Sequence, residues 1–156
     1  MDGEPRELDR NLRWPSPGRR SRASFEHARK ADTAGTGRRI ADSPASRLAL
    51  ADTATEVEIG PLLGYRVSWM QSRGLVPNQE ASMSKMFGSE TQQRLARRGV
   101  NMFGLRGQLR LGPHQSSVGA EFANYYLSSV ALTIAAGTSE IQRNIIATRG
   151  LSLPRG

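Results

Sequence analysis

The sequence predicts an all-α protein: an incomplete bundle of about four helices over residues 46–156, preceded by a disordered segment, residues 1–45. Three observations carry this. After position 46 the apolar residues recur at spacings of three and four, the period of a helix face. Breakers and caps (Gly74, Pro77, Asn78, Gly137, Gly150) fall between those runs. Residues 1–45 hold ten basic and seven acidic side chains and very few large apolar ones. Such a segment cannot bury enough surface to offset the entropy of ordering it. Pro15-Ser16-Pro17-Gly18-Arg19-Arg20-Ser21-Arg22 is typical of it, and only Ser24–Lys30 has the texture of a short helical turn.

The first helix is expected from Ser46, as cap, to near Gly74. Ile59, Leu63, Val67 and Met70 lie on one face at spacings of four, four and three. Pro61 falls inside it. An interior proline costs about 3 kcal/mol and kinks a helix, so a bend there or a later start is expected. A second helix is expected from Asn78, a good cap. Glu80 and Glu90 come early and Arg94, Arg97 and Arg98 late, an order that suits the helix dipole. Its methionines, Met83, Met86 and Met102, read as gap-filling core. Residues 104–119, with Gly104, Gly107, Gly112, Pro113 and Gly119, read as a loop. Glu121–Ile134 carries Phe122, Tyr125, Tyr126, Leu127, Val130 and Leu132 and reads as a well-buried helix. A last helix is expected from Thr138 or Ser139 to Gly150, with Pro154 beyond.

Composition excludes several functions. There is no cysteine, hence no disulfide, thiolate nucleophile or Cys-bound metal. The two histidines, His27 and His114, are far apart, which speaks against a His-based metal site or dyad. No apolar run approaches the roughly 20 residues of a membrane span. Asp2, Glu4 and Glu7 sit where a secretory signal would need an apolar core, so a cytoplasmic protein is expected. The net charge of +8 comes almost wholly from arginine, with lysine only at Lys30 and Lys85. A basic arm on phosphates is one reading of that charge. The acids that dilute it, and the lack of a stacking pattern of aromatics, make nucleic acid an unexpected partner.

The most informative segment is Gly137-Thr138-Ser139-Glu140-Ile141-Gln142-Arg143-Asn144-Ile145-Ile146-Ala147. Physically it is a glycine-hinged turn feeding a helix start. The glycine permits close approach of a ligand. The two hydroxyls and the free first-turn N–H groups make a polar, anion-tolerant place. An ordinary capped helix fits the same residues, and the pattern alone favours that plainer reading.

This run, followed by Arg149 and Leu153-Pro154-Arg155, closely resembles the C-terminal signature of acyl-CoA dehydrogenases. Asn78-Gln79-Glu80-Ala81-Ser82-Met83-Ser84-Lys85 is similar to the family's helix in which a lysine follows small residues. The resemblance covers about residues 46–156. It implies a C-terminal four-helix bundle that adjoins a middle β domain, with FAD between them and near a neighbouring subunit. It implies removal of the α-proton of an acyl-CoA, with the β-hydrogen passing as hydride to the flavin. It makes Thr138, Ser139 and Glu140 the cofactor contacts and sets Gly137 near the substrate thioester.

The sequence also departs from the family pattern. Many members carry a glutamate directly before the Gly-Thr pair as catalytic base. Here Ala136 holds that position, and a methyl group takes no proton, so no catalytic residue is assigned. Some members place the base on an earlier helix. Others, including actinobacterial enzymes for steroid side chains, pair a base-bearing subunit with one that lacks it. The family's loop Gln followed by Gly-Gly is not matched by Gln108 or Gln115. No β domain or first bundle helix is recognised, residues 1–45 match nothing in the family, and a shifted or rearranged reading is one origin for them. The expected function is the C-terminal domain of an FAD-dependent acyl-CoA dehydrogenase, inactive alone. The alternative is a non-catalytic helical module that docks on a full-length subunit. The expected partners are an acyl-CoA and other dehydrogenase subunits, in a homo- or hetero-oligomer, and no membrane. The acyl pocket would lie mostly upstream, so chain length or a steroid substrate is not legible.

Overall fold

The computed structural model describes residues 39–109 and 118–154. Of the segment expected to be disordered, residues 1–45, the first 38, with the expected helical turn, lie outside the described residues, as do His114 and Gln115; its last seven are ordered, with a 3-10 turn at Ile40–Asp42 and a helix from Pro44. Among the described residues there are four α-helices and no strand: α1 Pro44–Ser72, α2 Asn78–Phe103, α3 Val118–Leu132 and α4 Ser139–Ile145. A 3-10 turn, Ile40–Asp42, precedes α1, and another, Gly104–Gln108, follows α2. A π-helical turn, Ile146–Gly150, continues α4. The all-α expectation holds. No described helix is long and apolar enough to cross a membrane.

The helix starts differ from expectation in instructive ways. Ser43, not Ser46, caps α1: its Oγ accepts from the Ser46 N–H at 3.5 Å. Pro44 follows at the first helical position, where its fixed φ suits the helix and its missing N–H costs nothing. Residues upstream are already engaged, since Ile40 is buried against Leu50. α1 then runs through Pro61 as one 29-residue helix, so the later start did not occur. It ends as predicted. Gly74 takes φ +72, its N–H donates to the Gln71 carbonyl, and the Leu75 N–H reaches back to Met70.

Asn78 is not a cap. Its N–H already bonds the Val76 carbonyl at 3.0 Å in a tight turn, so it is the first helical residue and Pro77 precedes the helix without a side-chain cap. The expected loop after α2 opens with the 3-10 turn. α3 begins three residues earlier than the apolar pattern suggested and stops at Leu132.

α2 is the central element, and α1, α3 and α4 all pack on it. Its seam with α3 holds an apolar cluster. Leu95 and Ala96 of α2 meet Phe122 and Tyr125 of α3, and Val100 and Phe103 close the edge. Phe103 and Phe122 lie 5.6 Å apart, tilted by 34°, within the favourable range for aromatic pairs. Gly99 makes the seam possible, because a Cβ there would overlap the Phe122 ring. The Tyr125 hydroxyl, buried with it, donates to Gln92 Oε1 at 3.0 Å, so the polar end of the ring is satisfied.

α1 joins α2 by charge as much as by apolar contact. Arg98 donates to Thr53 Oγ1 and to Glu56, both at 3.0 Å, and Arg94 Nε reaches Glu56 at 3.1 Å. Leu50 and Thr53 are buried beside these pairs. The second half of α1 is less complete. Leu63, Val67 and Met70, from the predicted inner face, are half-buried, whereas Ile59, the fourth residue of that face, is 38% exposed. Leu62, Tyr65 and Trp69 on the other side are more than half exposed.

Candidate functional site

The segment between α3 and α4 holds two consecutive residues with positive φ. Ala136 has φ +56 and Gly137 φ +93. The first value is uncommon for a residue with a Cβ, and the second suits glycine. Gly137 is doubly required, since a Cβ there would approach Gln142 Nε2 to 2.7 Å. After this bend Thr138 caps α4, its Oγ1 accepting from the Ile141 N–H at 3.3 Å. The Ser139 N–H closes the bend on the Thr133 carbonyl at 3.1 Å. The plainer expectation of a capped helix start is thus met in full, and a second layer lies on top of it.

Thr138, Ser139 and Glu140 together line a pocket of about 440 Å³, whose other walls include Glu90, Gln93, Arg94, Arg97 and Arg143. Ser139 is 6% exposed, and its Oγ is a buried side-chain polar atom with no hydrogen-bond partner among the described residues. An unpartnered buried hydroxyl costs roughly 1–3 kcal/mol relative to a paired one, and most native examples have an explanation. Here the hydroxyl belongs to a residue on the wall of a polar pocket. Gly137 is set apart from its three neighbours: its carbonyl turns to α2 and accepts from Lys85 Nζ at 2.5 Å. Ala136 is exposed and brings no ionisable group. Gln108 ends the 3-10 turn after α2 and is not among the residues lining the pocket.

The charges around the pocket are ordered. Arg143 of α4 bonds Glu90 of α2 at 2.6 Å, and Glu90 also pairs with Arg94. Arg94 pairs with Glu56, Glu56 with Arg98, and Arg98 with Asp52. This alternating chain links α4, α2 and α1 along one side. Arg97 lines the pocket without an ion pair among the described residues. The Glu140 carboxyl is held below the usual carboxylate value of 4.5, first by its own backbone N–H, then by the Thr138 hydroxyl, with smaller help from Arg143 and Lys85. It is therefore an anion at neutral pH, not a proton reservoir. No group of three or more His, Cys, Asp or Glu suited to a metal ion occurs among the described residues.

Thr138, Ser139 and Glu140, the cofactor contacts that the family resemblance implies, lie together on one wall of this pocket. No place beside the turn was legible for Lys85, Gln142, Glu90, Arg97 or Arg143. Lys85, Gln142 and Arg143 stand inside the two quoted motifs. Glu90 and Arg97, on α2, approach the turn only through the packing of α4 on α2, which no local pattern announces.

Comparison with known proteins agrees with this architecture. The family model of the acyl-CoA dehydrogenase C-terminal domain matches residues 18–151, and so begins well upstream of the change of texture near residue 46. An acyl-CoA dehydrogenase of Bacillus subtilis is 34% identical over 111 residues, which cover 70% of this chain and 27% of that protein. The acyl-CoA dehydrogenase FadE26 of Mycobacterium tuberculosis is 29% identical over 122 residues, 76% of this chain and 30% of the relative. Among solved structures, the ChsE4-ChsE5 complex of Mycobacterium tuberculosis superposes with a TM-score of 0.78 at 29% identity, covering 90% of this chain and 36% of the matched one. The chain thus spans about a third or less of the length of these relatives. The match over most of its length shows that this chain belongs to the acyl-CoA dehydrogenase family and corresponds to its C-terminal helical domain.

Proposed function

We propose that the chain supplies the helical wall of an FAD site in an acyl-CoA dehydrogenase that carries out α,β-dehydrogenation of an acyl-CoA thioester. The single observation that supports this best is the buried, unpartnered hydroxyl of Ser139 on a polar pocket. The donor set fits part of a dinucleotide. It offers a hydroxyl able to donate or accept and, at Arg97, a guanidinium without an ion pair among the described residues. A pocket of about 440 Å³ takes a segment of such a molecule rather than all of it. Thr138, Ser139 and Glu140 are the contacts in this reading, and Gly137 faces the thioester end. Bound FAD would supply the hydride acceptor. The chain's own residues orient and bind; with Ala136 at the base position, none of the turn residues assigned here removes the α-proton. The base and the β-domain side of the site would come from elsewhere in the assembly, and these 156 residues alone do not run the reaction.

The test is a Ser139→Val substitution in the chain assembled with a full-length dehydrogenase subunit. The expected outcome is at least about a tenfold loss of FAD affinity, the worth of one buried hydrogen bond to a ligand, without loss of assembly. Unchanged FAD affinity would remove Ser139 from the cofactor site.

A second reading, a helical module that docks on a full-length subunit, is favoured by the far half of α1. Gly60, Pro61 and Gly64 make that half an expensive helix, by about 5 kcal/mol relative to alanine. Its side chains Leu62, Tyr65 and Trp69 nonetheless stay 63%, 71% and 56% exposed. Apolar faces of this kind mark interaction surfaces, and aromatic anchors are typical of them. Docking there is expected to enlarge the particle seen by light scattering when the subunit is added. A Trp69→Asp substitution that leaves the complex intact would contradict this use of α1.

A further inference from the structure

We propose that Lys85 and Gln142 are positioning residues, which clamp the bend at Ala136–Gly137 and so fix where Thr138, Ser139 and Glu140 face. The functional sense of this rests on the cofactor reading above; the clamp itself rests on geometry. Lys85 stands on α2, and its ammonium group donates to the Gly137 carbonyl, 52 residues on. It makes no ion pair among the described residues, so its recorded partner is a neutral backbone oxygen and not a carboxylate. Gln142 is 6% exposed, and its side-chain amide donates to the Ala136 carbonyl at 3.1 Å and to the Gly137 carbonyl at 3.4 Å.

The two carbonyls held in this way belong to the two consecutive residues with positive φ. A left-handed alanine is disfavoured on its own and persists only where its surroundings over-determine it. Donors on both carbonyls fix the two peptide planes, and the bend cannot relax without breaking those bonds. The Ser139 N–H, bonded to Thr133 just beyond the bend, reports whether it holds. The close fit of Gln142 against the bare Gly137 Cα joins the glycine and the glutamine in one device.

Amide hydrogen exchange and NMR shifts of the full chain test this with Lys85→Met, Lys85→Arg and Gln142→Leu. Lys85→Met and Gln142→Leu are each expected to speed exchange at the Ser139 amide by about tenfold or more, as local opening does. The resonances of residues 136–140 should shift, while the Ala96 and Tyr125 amides stay within about twofold. Lys85→Arg, which keeps a cationic donor, should restore Ser139 to within about threefold of the unsubstituted chain. Unchanged exchange at Ser139, equal acceleration at Ala96 and Tyr125, or no rescue by arginine would overturn the clamp. If Lys85→Met does not fold, Gln142→Leu carries the same readout. An intact clamp in a chain that takes up no flavin in any assembly would overturn the cofactor reading instead.

Discussion

α2 presents two flanks that are finished to different degrees. Toward α3, apolar side chains interlock over Gly99 and the one buried phenol finds Gln92. Toward α4, the contact is made of ion pairs, side-chain donors on carbonyls, a left-handed alanine and a hydroxyl with no partner. Both flanks are buried in part, and both lie along the same helix. The first resembles a domain core, complete by itself. The second carries unmet hydrogen-bonding capacity and strain, which is where a ligand's contribution is expected. Stability is thus assigned to the contact with α3 and, in the proposed reading, binding to the contact with α4, and substitutions should separate them.

The largest effect is expected at the seam. Phe122→Ala should destabilise by about 3–5 kcal/mol through cavity formation, read by thermal or urea unfolding, with a chain of this size losing most of its margin. Gly99→Ala should cost about 1–3 kcal/mol, since overpacking against Phe122 outweighs the roughly 1 kcal/mol gained in helix propensity. A neutral result there would mean that the seam is looser than it is drawn. On the other flank the sign reverses. Ala136→Gly should stabilise by up to about 1 kcal/mol, because glycine accepts φ +56 at little steric cost, less its extra unfolded-state entropy.

The smallest effect concerns pH. The folded value of Glu140 is depressed, so the native state binds its proton less readily than the unfolded chain does. Its contribution to stability is complete above about pH 4.5, the ordinary value, and is lost as pH falls through the lower folded value. Glu140→Gln should therefore flatten the stability profile below that pH and leave it parallel above, as unfolding midpoints across an acid series would show. A profile unchanged by the substitution would mean that the carboxylate is not held by the helix start.

Much of this was legible before the structure. The helical period gave the class, and glycine at positions 74 and 137 gave two helix ends, because φ > 0 leaves few alternatives. Thr138, Ser139 and Glu140 were legible as a group because consecutive residues at a helix start cannot be far apart. The caps of α1 and α2 were misplaced, as Ser43 and Ser46 are equally good cap residues and only the chain direction set by Pro44 chooses between them. The exposed apolar side of α1 could not be foreseen either. Periodicity identifies an apolar residue, not whether a neighbour covers it. The Lys85 bond to Gly137 spans 52 residues, and such pairings are written in the packing of helices rather than in any local run.

In the proposed reading the Gly137–Glu140 turn is one wall of a flavin site that other parts of a dehydrogenase assembly complete. Flavin content tests it most directly, as the visible absorbance of the purified chain with added FAD, alone and then together with a full-length dehydrogenase subunit. No stoichiometric flavin is expected on the chain alone, and a flavin spectrum that depends on Ser139 is expected on the assembly. Tight, stoichiometric FAD on the isolated chain would contradict it, because the wall would then be a whole site.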